Sequence, residues 1–510
     1  MILEMGFFQA RSRLLPWIAA SGAMLSMLAA THRHGLGVSL DSVVYAGAAE
    51  SVAERRTLDV PLTWWDAETA RVPLSHFPPA VPLALAAVGG STGADPYVAA
   101  RWLNAGCIFV SVLLATRPIA TSPFALIVMF ALLAGPWFTT MHLWLWSEPL
   151  FLLLALVCVR LAATVSSQSG RTGRIAALGV CCGLATLTRY AGVSLMAGVG
   201  LLLLLSREPR AVKIRRLLWC GGAYVATVGP WLWWLATTGG APRSLGIYTE
   251  DAWSRVVVPL VRTFADVFVP SSWPLPTAIA VIGAAVLLVV RTDASSAPRE
   301  AAPTALVCGV LLAVNVAFVV GARLFADAGI PMDERILSTA VLFLAIALSD
   351  LAKVAYPIGL PVVASVLVAC VAVGNVFSTA PHFLHAARHG HGYLSEPWVS
   401  SETLAWLRDA PRDLTIFSNA PDVVCAWLPV TAKYTPASDE ADRLAEFATR
   451  VQSAAPAAVV LFDDPHEGWL MSRDLLKDVP VAHEVRSFSD GVVMLSRGSA
   501  ASRNAPLRRE

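Results

Sequence analysis

Apolar runs of bilayer length recur along this chain, and they constrain its fold more than any other feature. A hydrocarbon core of roughly 30 Å, crossed at about 1.5 Å per residue, calls for runs of about 17–25 apolar residues. Such runs occupy 14–30, 98–117, 121–140, 145–164, 174–188, 191–205, 214–236, 273–291, 303–322, 334–350 and 355–376, which predicts about eleven spans. Only 15% of the residues are charged and 56% are hydrophobic, a balance that a water-soluble chain does not show. The expectation is a polytopic α-helical membrane protein.

Charges return from about residue 380, and the apolar runs shorten there. This predicts a transmembrane domain over 1–379, with a large first extracytoplasmic loop at 31–97, and a soluble extracytoplasmic α/β domain over 380–510. In that tail "LTIFSN" and "AAVVLFDD" read as strands, with "EADRLAEFATRV" as a helix between them. "VAHEVRSFSDGVVMLSR" reads as two strands about a Ser-Asp-Gly turn. The first run follows Arg11 and Arg13 and lacks an A-x-A cleavage site, so it reads as a retained signal anchor. "HFPPAVPLALAAVGG", 76–90, is apolar but short and proline-rich, and reads as interfacial or re-entrant.

Sidedness follows from the basic residues. With the amino terminus inside, Arg117, the Arg160–Arg174 group, "SREPRAVKIRR", Arg291, Arg299 and Lys353 all fall on cytoplasmic connections. A net charge of +2 without a basic run predicts no nucleic-acid partner. Seven of the eight cysteines lie in or beside apolar runs and no CxxC pair occurs, so the tail, holding Cys425 alone, has no internal disulfide.

On this threading a set of polar residues collects at the outer membrane edge: Asp41 with Tyr45 four residues on, His76, Glu148, Arg189, and the group Arg323, Asp333, Glu334 and Arg335. Ionisable groups at membrane depth are costly and face a cavity or a partner. Each also has a plain structural reading. Asp41 is either a base or part of a helix cap after Ser39. Glu148, before Pro149, is equally an acidic first turn favoured by the helix dipole. Arg335 is equally a partner for Asp333 or Glu334, and His76 an interfacial histidine. Arg189 has little loop to escape into. The tryptophans of "WLWLWSEP" and "GPWLWWLA" read as an aromatic belt.

The order of these landmarks, Asp41 and a tyrosine, "PLSHFPPAVPLALA", "ARWLNAG", "SEPLFLLLAL", "LTRYAGVSLM" and "DERILSTAVLFLAIAL", resembles the GT-C superfamily of membrane glycosyltransferases. The branch it is similar to holds the bacterial protein O-mannosyltransferases and lipid A aminoarabinose transferases. The resemblance covers about residues 10–350. It implies a hexosyl or pentosyl transferase of the bacterial plasma membrane that uses a polyprenyl-phosphate-linked sugar at the extracytoplasmic face. It also implies Asp41 as the base and Arg335 at the donor phosphate, with a glycan, lipid or protein as acceptor. Glu148, Arg189, His76 and Tyr45 are candidate substrate-binding residues. Relatives often carry two adjacent acids where this chain has Asp41-Ser42, so a divalent metal is not supported. The chemistry is coherent: a carboxylate base activates a hydroxyl, and a guanidinium holds the departing phosphate. Two rival readings are a transporter or flippase, and a non-catalytic scaffold that keeps the fold.

Overall fold

Every predicted apolar run that falls within the described residues forms a helix, as it must where no water serves the backbone. The structure, a computed structural model, describes residues 2–167, 172–238, 248, 253–267, 303–327, 329–355, 362–454, 456–464, 468–478 and 483–496. The chain divides into two units. One comprises Met1–Arg33, Ser75–Val81 and Ala100–Arg388, the other His34–Leu74, Pro82–Ala99 and His389–Glu510. In chain order the longer helices are α1 (Ile2–Ala30), α2 (Leu40–Arg55), α3 (Ala80–Thr92), α4 (Pro96–Thr116), α5 (Pro123–Leu133) and α6 (Pro136–Leu143). They continue with α7 (Glu148–Ser167), α8 (Thr172–Thr188), α9 (Gly192–Leu205), α10 (Arg210–Thr238), α11 (Val258–Asp266), α12 (Pro303–Phe325), α13 (Glu334–Ala355) and α14 (Val362–His389).

Four helical segments among the described residues are long and apolar enough to cross a membrane: Pro96–Ile119, Glu148–Val165, Thr304–Phe325 and Glu334–Lys353. The chain is therefore a multi-pass membrane protein. Several other expected spans form shorter apolar helices, α8 having 17 residues and α9 only 14. The expected span 273–291 lies outside the described residues, as does part of 355–376. The span expected at 121–140 is made of two helices, α5 and α6, which together are apolar enough to cross and bend by 55° at the break between them. Pro136 lacks a backbone N–H and opens α6 at an allowed first position after Gly135. Carbonyls at the break find other donors, since Asn375 Nδ2 bonds Ala131 O at 2.7 Å and Thr379 Oγ1 bonds Ala134 O at 2.6 Å, both from α14. Trp137 Nε1 bonds Leu132 O at 2.9 Å. These bonds let a broken helix persist in apolar surroundings.

Helix α8 lies close against α10 because it carries glycine one turn apart. A Cβ on Gly179 would come within 2.1 Å of Cys220 O, and one on Gly183 within 2.7 Å of Thr227 Cβ. Small residues at such spacing let helix backbones approach in a membrane. Gly179→Val is expected to destabilise the first unit by about 2 kcal/mol, as overpacking does, and to lower the melting temperature in nanodiscs. Gly221→Ala on α10 meets no atom within 4 Å and serves as the silent control. Equal melting temperatures for the two variants would remove the close-packing argument.

The second unit is built on a six-stranded sheet. Its strands are β2 (Leu62–Trp64), β4 (Thr415–Ser418), β5 (Ala432–Tyr434), β6 (Ala457–Phe462), β7 (His483–Phe488) and β8 (Gly491–Ser496); β1 (Asp59–Val60) and β3 (Val72–Pro73) form a separate two-stranded ladder. The order is β2-β5-β4-β6-β8-β7; the first four strands are parallel, and β8 runs antiparallel to both its neighbours, β6 and β7. All six residues of β6 are buried, as suits a central strand covered on both faces. Phe417, Phe447, Val459, Leu461 and Met494 form the core with Trp65.

That last residue belongs to the loop expected at 31–97. Most of the loop expected to belong to the transmembrane domain, 31–97, lies in the same unit as the tail. Leu62 pairs with Ala432 at the sheet edge, and Trp65 meets Phe447 edge-on at 5.7 Å, so the loop completes both the sheet and its core. The Ser-Asp-Gly turn forms as expected. Asp490 accepts from Thr403 N at 3.1 Å and Thr403 Oγ1 at 2.8 Å, tying the hairpin to the start of the Glu402–Asp409 helix.

Candidate active site

Three helix ends meet at one face of the first unit. Helix α7 begins at Glu148, just after Ser147, whose carbonyl accepts from Phe151 N at 3.0 Å. Helix α8 ends at Thr188, and Arg189 follows it, its backbone N still bonded to Ala185 O at 2.9 Å. The chain then reverses tightly into α9, where a Cβ on Gly192 would lie 2.3 Å from Thr186 N. Helix α13 begins at Glu334 behind Asp333, whose Oδ1 accepts from Ile336 N at 3.1 Å as a cap.

The side chains at these ends converge on one carboxylate. Glu148 Oε1 accepts from Arg335 Nε at 2.6 Å and also from Arg189 Nη1. Ser147 Oγ accepts from Arg189 Nη1 at 3.1 Å and donates to Glu148 Oε2 at 3.4 Å. The Glu148 side chain is 1% exposed, whereas Arg189 is 17% and Arg335 26% exposed. The carboxylate is thus inside and the guanidiniums are the accessible part.

Arg335 has a second support. Its Cζ lies 4.3 Å over the Trp146 ring, and Trp146 stacks on Trp144 with centroids 4.8 Å apart. Asn104 Nδ2 holds the strap beneath, bonding Trp144 O at 2.8 Å and His142 O at 3.2 Å. The cation over the indole gains electrostatic attraction and loses freedom to move. The aromatic pair therefore does more than an interfacial belt would.

The charges decide what this cluster can do. One buried carboxylate would be costly alone, and two guanidiniums compensate it. The amino termini of α7 and α13 add partial positive charge at the same place. Planar guanidinium forks are groups able to hold a phosphate bidentately.

No protein-family model and no curated protein sequence matches this chain. Among solved structures it is similar to the crystal structure of the Archaeoglobus fulgidus oligosaccharyltransferase tethered through a disulfide to an acceptor peptide containing the NVT sequon. The two share 11% identity over 95% of this chain and 74% of that one, with a TM-score of 0.48.

The expected site residues separate into groups. Glu148, Arg189 and Arg335 come together, and the carboxylate Arg335 meets is Glu148, from a distant helix. His76 is exposed in the first unit with its ring 5.1 Å from that of Phe77. Asp41 and Tyr45 lie on α2 in the second unit, Asp41 half-buried in the first turn and Tyr45 buried. Ser42 has a local task, accepting from Ser39 N at 3.0 Å in a capping box. Among the described residues no group of three His, Cys, Asp or Glu side chains is placed to hold a metal ion. Sequence reasoning missed the Trp146 platform and the Asn104 strap; two tryptophans flanking one residue before Ser-Glu were the available signal.

Proposed function

We propose that this chain is a membrane glycosyltransferase that moves a sugar from a polyprenyl-phosphate carrier to an acceptor at the extracytoplasmic face of a bacterial plasma membrane. The observation that supports this reading is the Glu148–Arg189–Arg335 cluster, a cationic site at the ends of apolar helices. A lipid phosphate has the matching form, with an anionic head for the guanidiniums and an apolar tail for the helices beside them. The acceptor hydroxyl attacks the anomeric carbon and the bond from that carbon to the phosphate oxygen breaks. The electron pair leaves on the polyprenyl phosphate, where Arg189 and Arg335 stabilise it. The hydroxyl proton passes to a carboxylate base, assigned to Asp41, and a single displacement inverts the anomeric centre.

Purified protein in nanodiscs, given radiolabelled polyprenyl-phosphate sugars with and without chelator, is expected to transfer label from at least one donor. In that assay Arg335→Lys is expected to raise the donor KM by roughly 10-fold or more. Lysine keeps the charge but loses the fork and the stacking on Trp146, and a charge-assisted hydrogen bond contributes about 1.5–3 kcal/mol. Absence of transfer from every donor would sink the proposal. A donor KM unchanged in Arg335→Lys would remove the phosphate assignment.

A further inference from the structure

A cavity of about 190 Å³ lies within the second unit. Its polar lining is Glu50, Glu54 and Arg55 from α2, Arg71, and Tyr97 from the start of α4; Pro61 and Leu428 supply apolar wall. The cavity is built around an anchored arginine. Arg71 Nη2 bonds Gly47 O at 3.2 Å and Ser51 Oγ at 3.0 Å, and Ser51 Oγ in turn bonds Asp59 O at 2.7 Å.

One polar group at this cavity lacks a hydrogen-bond partner among the described residues, and two more line the same space. Arg71 Nε is buried with no acceptor. The half-buried Glu50 and Tyr97 side chains line the same cavity. Buried polar groups are almost always satisfied, so an orphaned guanidinium N–H beside a polar-lined cavity points to something that fills it. Burial pushes the Glu50 carboxyl above the usual carboxylate range, and Arg71 partly offsets this.

We propose that this cavity binds one neutral, polyhydroxylated sugar ring. Two glutamates and two arginines cancel, so an anion would meet the acids and a cation the arginines. A hydroxylated ring satisfies both kinds of group at once. Its hydroxyls donate to Glu50, its oxygens accept from Arg71 Nε, and Tyr97 serves either way. The apolar wall faces the ring's C–H groups, the usual mix of a small-ligand site. At about 190 Å³ the space is smaller than the roughly 300–1,000 Å³ of drug-sized ligand pockets, the scale of one ring rather than a chain. On the transferase reading this ring is the terminal sugar of a glycan acceptor; the binding itself does not depend on that reading.

Saturation-transfer NMR on the full chain, in nanodiscs free of sugar-headed detergent, tests it. The probes are the methyl glycosides of mannose, glucose, galactose and arabinose, with glucuronate and glucosamine as charged controls. At least one neutral glycoside is expected to bind, and its affinity is expected to fall at least 10-fold in both Glu50→Gln and Tyr97→Phe at unchanged melting temperature. If Glu50→Gln does not fold, Tyr97→Phe decides. No binding by any neutral glycoside, equal binding by the variants, or a charged probe binding at least as well would overturn the proposal. Sugar transfer without glycoside binding would sink this site and leave the transferase reading standing. Glycoside binding without transfer would do the reverse.

Discussion

Asp41→Asn is expected to fold, insert and bind the lipid donor, yet to transfer sugar roughly 10²–10⁴-fold more slowly. That is the range a positioned general base contributes, and asparagine cannot take the acceptor's proton. The substitution is informative because the structural alternative predicts the opposite. Asp41 sits in the first turn of α2, behind the Ser39–Ser42 capping box. If its task were only to favour the helix start, asparagine would lose a dipole interaction of about 0.3–1 kcal/mol and little else. The turnover number under saturating donor separates the two cases. Asp41→Glu is a companion: it keeps a base on a longer arm and should retain part of the activity. Near-normal turnover by the asparagine variant would take the base assignment away from Asp41.

The parts of the fold that were legible in the sequence were those with local causes. Long apolar runs over 98–117, 145–164, 303–322 and 334–350 each became a helix able to span, because hydrocarbon leaves the backbone no other choice. The strands of the tail were legible for a similar reason, β6 being a continuous apolar run. What was not legible depends on distant pairings. β2 has only three residues, and its place at the sheet edge comes from Ala432 and its neighbours, far along the chain. The break at Gly135-Pro136 was visible as a dipeptide, but its tolerance rests on Asn375 and Thr379 from α14.

The site divides in the same way. Glu148, Arg189 and Arg335 each stood out as an ionisable group at a span end, and each had a local explanation that could have consumed it. Arg335 had two acids directly before it, and its guanidinium reaches Glu148 from a distant helix. A carboxylate held at a bundle edge between two helix ends is rigid, whereas Asp333 is already engaged in capping α13. The cavity beside Glu50 was invisible because Arg71, Tyr97 and Leu428 come from separate segments and share no sequence pattern.

Glu148→Gln should lower stability and strengthen anion binding together, a combination that a purely structural ion pair does not produce. Removing the carboxylate takes away the acid that Arg189 and Arg335 share. Breaking a buried pair in this way costs about 3–5 kcal/mol, and the partial exposure of both guanidiniums places the expected loss near about 3. The same change takes a negative charge away from the place where a phosphate would sit. A long-chain alkyl phosphate should then bind the variant more tightly than the native chain. By linkage, ligand at 100 times its Kd restores about 2.7 kcal/mol, close to what was lost. Thermal unfolding in nanodiscs, with and without alkyl phosphate, measures both effects, and an alkyl sulfonate or uncharged alcohol of equal length separates charge from chain. Transfer should still be slow, because glutamine no longer aligns the two forks and the product phosphate leaves late. If alkyl phosphate stabilises Glu148→Gln no more than it does the native chain, the two arginines are partners for the glutamate alone and the donor phosphate must be sought elsewhere.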